Sequence, residues 1–243
     1  MLLKYDTFVK DILQRTHDVK SFRFPRPSDF VFKPGQFMFV TIKDGQDEIK
    51  KHFSISSSPS ENEYLEITKK LTGNRFSNAL NSIKLGSWAR IEGPYGAFFF
   101  EGEYEKIGML TGGIGITPIM SICRYCADMK AKTDMVLLYS NHTAKDIAFR
   151  SELEELKAQN KGFKLVLSMT DSDPSWNGST GRIDSGMIKK EIPDFEERMF
   201  FISGPTVMVL DLRGILEGMG IQKGQIKQDL FTGFETNQTQ KSS

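Results

Sequence analysis

Four short segments bring together residue types suited to gripping an anion and a ring. Lys51-His52-Phe53-Ser54-Ile55-Ser56-Ser57-Ser58-Pro59 sets a cation, an aromatic and hydroxyls along one extended stretch. Ile67, Lys69 and Lys70 lead through Gly73 into a helix start carrying Asn74, Phe76 and Ser77. An apolar run ending at Thr111 meets Gly112, Gly113 and Gly115, and a helix opens near Thr117 and Pro118. Phe201-Ile202 breaks at Ser203-Gly204-Pro205, and Asp229-Leu230-Phe231-Thr232-Gly233-Phe234 follows near the end. Glycines let backbone turn sharply and approach a ligand, and a helix N-terminus presents unpaired N–H groups to a phosphate or pyrophosphate. Each segment also has a plain reading: a close-packed turn, an edge strand, a helix cap or a strand end.

The elements that must position these residues fall into two sets. Before residue 103, short stretches at 4–12, 19–24, 36–42, 53–57, 64–70 and 88–92 are rich in Phe, Val, Ile and Thr. Pro34-Gly35, Asp44-Gly45 and Gly93-Pro94 punctuate them, and a helix at 75–83 interrupts the series. That spacing predicts a small antiparallel barrel or sandwich. From about residue 104, apolar strands at 107–111, 135–140, 164–168 and 199–203 alternate with helices at 118–132, 148–160, 185–191 and 206–219. Alternation of this kind predicts a doubly wound α/β domain around a parallel sheet. The expected division is a barrel over 1–103, an α/β domain over 104–234 and a loose polar tail over 235–243.

Composition narrows the function. The 243 residues carry 32 Lys and Arg against 31 Asp and Glu, a formal +1, so bulk charge gives no case for nucleic acid or an anionic membrane. No run approaches the ~18–20 apolar residues of a membrane span, and Lys4, Asp6 and Lys10 break up the N-terminus, so the expected location is cytoplasmic. Cys123 and Cys126 form Cys-Arg-Tyr-Cys on the helix after the glycine turn, where they read as core residues rather than metal ligands. His17, His52 and His142 are scattered, and no metal is assigned.

Taken in order, the four segments and the barrel-then-α/β pattern resemble the ferredoxin–NADP reductase-like flavoprotein oxidoreductases, over about residues 3–234. The resemblance implies that Phe53 stacks on the isoalloxazine of FAD, with Ser54 near its N5 and Lys51 on its phosphates. Gly73 and Ser77 would hold the pyrophosphate, with His52, Ile67, Lys69, Asn74 and Phe76 around them. Gly112, Gly113, Gly115, Thr117 and Pro118 would face the pyrophosphate of a nicotinamide dinucleotide. Ser203, Gly204 and Pro205 would border the nicotinamide, and Phe231 or Phe234 would either cover the flavin or anchor the terminal core. Ser54, Ser203 and Phe231 are then the catalytic candidates. Hydride transfer needs two stacked rings rather than a strong acid or base, so glycines, hydroxyls and aromatics suit it.

Three positions depart from the family pattern: Lys51 replaces Arg, Phe53 replaces Tyr, and Ser203 replaces the Cys beside the nicotinamide. The coenzyme is NADPH or NADH. No acid closes the second sheet strand, and Ser140, Asn141, His142, Lys145 and Arg150 offer groups for a 2′-phosphate, which favours NADPH. The expected activity is FAD-dependent NAD(P)H oxidation, with electrons leaving to a ferredoxin-like or other redox protein or to a small molecule. The alternative is a flavin-binding electron-transfer or regulatory subunit that reacts poorly with nicotinamide.

Overall fold

The computed structural model describes residues 3–232. In chain order the elements are β1 (Leu3–Phe8), β2 (Asp11–Gln14), β3 (Val19–Pro25), β4 (Phe37–Asp44), β5 (Asp47–Ser54), β6 (Tyr64–Lys70), α1 (Arg75–Ser82) and β7 (Trp88–Tyr95). There follow β8 (Lys106–Gly112), α2 (Ile116–Asp128), β9 (Asp134–Asn141), α3 (Arg150–Gln159), β10 (Phe163–Met169) and β11 (Ser179–Thr180). The chain continues through α4 (Ser185–Glu191), β12 (Met199–Pro205), α5 (Thr206–Gly218) and β13 (Ile226–Phe231).

Two antiparallel sheets, ordered β1-β7-β4-β5 and β2-β3-β6, enclose the first core. Alternation makes it: Met38, Val40 and Ile42 of β4 point inward and are fully buried, as are Phe22 and Phe24 of β3 and Leu65 and Ile67 of β6. An Ile55–Ile67 bridge joins the sheets, and α1 closes one end with Phe76 and Leu80. Gly45, at φ +63, turns β4 tightly into β5. The expected strand at 53–57 therefore lies earlier, because the charged residues from Asp47 pair with β4 in an exposed hairpin. The expected strand at 4–12 divides in two, because the buried Val9 leaves the ladder and its N–H binds the Ser87 carbonyl at 2.9 Å.

The second sheet is wholly parallel, in the order β11-β10-β9-β8-β12-β13. One face packs on α2 and α3 through Ile119, Met120 and Leu153, and the other on α4 and α5 through Ile188, Val209 and Leu216. Strand order reverses between β8 and β12, so their carboxyl ends flank the crevice where ligands of doubly wound sheets bind. The glycine turn leaves β8 there, and Ser203-Gly204-Pro205 ends β12 there. The turn forms one 3-10 step, Gly113–Gly115, so α2 starts before Pro118.

Candidate active site

The barrel contributes a cationic ledge and an aromatic plate. On β5, Phe53 is half-buried against Phe76, their ring centroids 5.4 Å apart. Lys51 lies two residues back on the same face of the strand, as the register of both against β4 shows. Lys69 on the neighbouring β6 is buried beside it, and burial first, then the Lys51 charge, pulls its ammonium down to about 8. An anion between them would relieve that repulsion. The start of α1 completes the ledge: Asn74 caps it by accepting the Ser77 N–H at 2.9 Å, and the first-turn N–H groups of Arg75 and Phe76 have no intrahelical partner. Gly73, at φ +74, has open space where a Cβ would stand. These groups fit a flavin nucleotide's ring and pyrophosphate.

The parallel sheet contributes the second half, and its glycines divide by task. A Cβ on Gly115 would collide with the Ser203 carbonyl oxygen and Gly204 Cα, so this glycine lets α2 dock on β12. Those at Gly112 and Gly204 would meet the Met208 side chain of α5, so these two make room for a thioether. Gly113, at φ +52, faces open space and is the glycine of the turn that leaves its backbone accessible to a ligand. Its carbonyl is pinned by the Tyr139 hydroxyl, which donates at 2.9 Å. Asn141, at the end of β9, is buried with neither side-chain polar atom hydrogen-bonded. A buried amide in that state fits a polar ligand in the crevice.

The halves meet at Ser54. Its hydroxyl donates to Asp229 Oδ2 at 3.4 Å, and Asp229 on β13 stands in register beside Ser203 on β12. Burial pushes the Asp229 carboxyl up to about 6, partly offset by the Ser54 hydrogen bond. Phe231 follows on β13, partly buried and in register with Pro205. Ser203 is fully buried, and its hydroxyl donates to the Gly115 carbonyl at 2.7 Å, latching β12 to the glycine turn.

The structure gathers most of the sequence-predicted residues around this crevice but gives several a different orientation. Thr117 is buried, its hydroxyl donating to Ile114 O at 3.2 Å, and Pro118 is buried in the first turn of α2. The Ile67 side chain lies in the barrel core, so only its backbone faces outward. His52 points to the opposite side of β5 from Lys51 and Phe53 and meets Phe37 and Phe39. Ser140 and His142 sit at the β9 end, whereas the Arg150 guanidinium lies 5.8 Å over the Trp176 ring. Phe234 lies outside the described residues. Asp229, within the terminal segment named from the sequence, gains its contact with Ser54 from the pairing of β13 with β12. One further acid is not singled out by the sequence. Asp171, just past β10, comes within 3.5 Å of His142, which follows β9.

Comparison with known proteins identifies both halves of the chain. Residues 7–100 match the oxidoreductase FAD-binding domain and residues 109–213 the oxidoreductase NAD-binding domain. The chain belongs to the ferredoxin–NADP reductase-like flavoprotein oxidoreductases. It is similar to the glycine betaine monooxygenase reductase subunit of Pseudomonas aeruginosa, 34% identical over 90% of this chain, and it spans 62% of that subunit's length. It also resembles NADH-cytochrome b5 reductase 1 of Aspergillus terreus, at 29% identity over 91% of this chain and 80% of that one. In fold it is similar to the cytochrome b5 reductase domain of Ulva prolifera nitrate reductase, with a TM-score of 0.83 at 24% identity, covering 93% of this chain and 97% of that domain. No described helix is long and apolar enough to cross a membrane.

Proposed function

We propose that this chain is a reductase that takes hydride from a nicotinamide dinucleotide onto bound FAD and passes electrons to a separate redox protein. The observation that carries the reading is the contact of Ser54, from the barrel, with Asp229, beside Ser203 of the parallel sheet. That contact brings a flavin-binding strand and the nicotinamide crevice to one point. The flavin supplies two-electron acceptance and one-electron release. Phe53 gives its ring an apolar plate, Lys51, Lys69 and the α1 start hold its phosphates, and Gly113 and Asn141 bind the dinucleotide. Ser54 lies at the reacting edge, and Asp229 orients its hydroxyl by accepting from it.

The coenzyme in this reading is NADH. An acid at a strand end accepts from a ribose diol and repels a 2′-phosphate, and Asp171 stands beside His142 in that position. Relatives named as the reductase subunit of a monooxygenase and as NADH-cytochrome b5 reductases support a protein acceptor. The free, buried Cys123 and Cys126 fit a reducing compartment, and we place the protein in the cytoplasm, with its domains divided between residues 103 and 104.

Anaerobic titration of the FAD-loaded chain tests the reading. Stoichiometric NADH should bleach the main visible flavin band, with NADPH far slower. Retained flavin that neither coenzyme bleaches would refute it and favour a flavin-binding subunit without nicotinamide chemistry.

A further inference from the structure

Behind the crevice lies a buried ionic cluster that the reaction does not directly use. The Glu66 side chain of β6 is 0% exposed and receives three guanidinium groups: Arg15 at 2.9 Å, Arg23 at 3.0 Å and Arg124 at 2.9 Å. Arg15 and Arg124 both also pair with Glu152 of α3. The same two guanidinium groups lie over the ring of Phe149, at 4.6 and 5.2 Å. Barrel and parallel-sheet elements thus share one set of charges.

The connections lead towards the reacting atoms. Glu66 Oε1 accepts from the Ser56 hydroxyl at 3.0 Å, and the Glu66 N–H donates to the Ser57 hydroxyl at 3.0 Å. These serines continue the strand that carries Phe53 and Ser54. Arg124 donates to the Ser56 carbonyl at 2.6 Å, and Ser121, also on α2, donates to the Ser57 carbonyl at 2.7 Å. α2 is the helix that issues from the glycine turn. One carboxylate therefore ties the continuation of the flavin strand to the helix behind the nicotinamide turn.

Stability alone does not call for such a cluster, since buried ion pairs seldom outperform apolar packing of the same volume. Directional hydrogen bonds do fix distances, and hydride transfer is sensitive to displacements on the order of 1 Å. Building on the reductase reading, we propose that Glu66 and Arg124 are positioning residues that set the stacking of nicotinamide on flavin by locking α2 to the Ser54–Ser57 strand.

The test uses the full chain in two states. In the FAD-loaded chain, Glu66→Gln and Arg124→Ala should lower the limiting rate of flavin reduction by about 10- to 100-fold, the larger loss being that of a misplacement of about 1 Å. FAD should remain bound, dinucleotide affinity should change little, and the long-wavelength charge-transfer absorbance should weaken. Arg124→Lys, which keeps the charge and loses the fork, should recover part of the rate. In the flavin-free chain, amide hydrogen exchange should rise together at residues 55–58 and 116–124 in both disruptive variants. A wild-type limiting rate with unchanged exchange at those segments overturns the proposal. So does a loss confined to thermal stability. Should Glu66→Gln not fold, the two Arg124 variants decide by the same criteria. Should the parent chain itself fail to accept hydride, the reductase reading falls, and exchange in the flavin-free variants alone decides whether the lock exists.

Discussion

Asp229→Asn will make the protein more stable at neutral and alkaline pH and will leave its acid stability unchanged. The folded chain raises this carboxyl from 3.8 to about 6, mainly by burial. A raised folded value means that the group's contribution is fully present below about pH 4 and is lost as pH rises through about 6. Above that range the folded protein must ionise a carboxyl that it shields from water, at a cost of about 3 kcal/mol. Asparagine carries no charge, keeps the shape and still accepts from Ser54. Urea unfolding of the flavin-free chain at about pH 8 should therefore show a gain approaching about 3 kcal/mol, shrinking to nothing near pH 4. In the FAD-loaded chain the same substitution should remove an inflection near pH 6 from the flavin reduction profile. An equal stability difference at both pH values would refute the reasoning, because the gain would then not come from ionisation.

Three further outcomes follow from the same geometry. FAD affinity should be constant below about pH 8 and weaken above it, because the phosphates favour the charged form of Lys69; Lys69→Met should weaken binding and flatten that dependence, as flavin fluorescence titration will show. Gly115→Ala should cost about 1–3 kcal/mol in thermal unfolding and raise the nicotinamide KM, since the added Cβ meets the backbone at Ser203 and Gly204. Asp171→Ser should narrow the ratio of kcat/KM for NADH over NADPH by about ten-fold or more, and a ratio that does not move would remove Asp171 from coenzyme choice.

The fold was legible wherever pattern and burial coincide. The strand Tyr64–Lys70 and the helix Ser185–Glu191 were read at their observed bounds, because turn or capping residues delimit them. The hairpin of β4 and β5 was misplaced because its second strand is mostly exposed and charged, so no apolar alternation marks it. The last strand went unseen for a related reason. Ile226–Phe231 lies at the sheet edge with every residue only partly buried, and its Lys, Gln and Asp read as loop. The antiparallel barrel and the doubly wound sheet were still recovered, since their core strands carry the pattern.

The candidate site divides along the same line. Local structure set by neighbouring residues was legible: the glycine turn after β8 and the helix start at Asn74. What was not legible depends on register between distant strands. Asp229 matters because β13 pairs with β12 so that it stands beside Ser203 and reaches Ser54, 175 residues earlier in the chain. Asp171 matters because β10 lies beside β9, which brings its carboxylate to His142. Packing also adds a contact that local pattern does not show. Ser203 stands where the resemblance puts a group beside the nicotinamide, yet its hydroxyl donates to the Gly115 carbonyl, a contact that only the packing of β12 on the glycine turn creates. Replacing Ser203 with Cys should therefore test packing as much as chemistry. A thiol is a weak donor and a larger atom, so it should loosen that latch and lower thermal stability. A stable, faster Cys variant would instead assign this position to the nicotinamide side of the crevice.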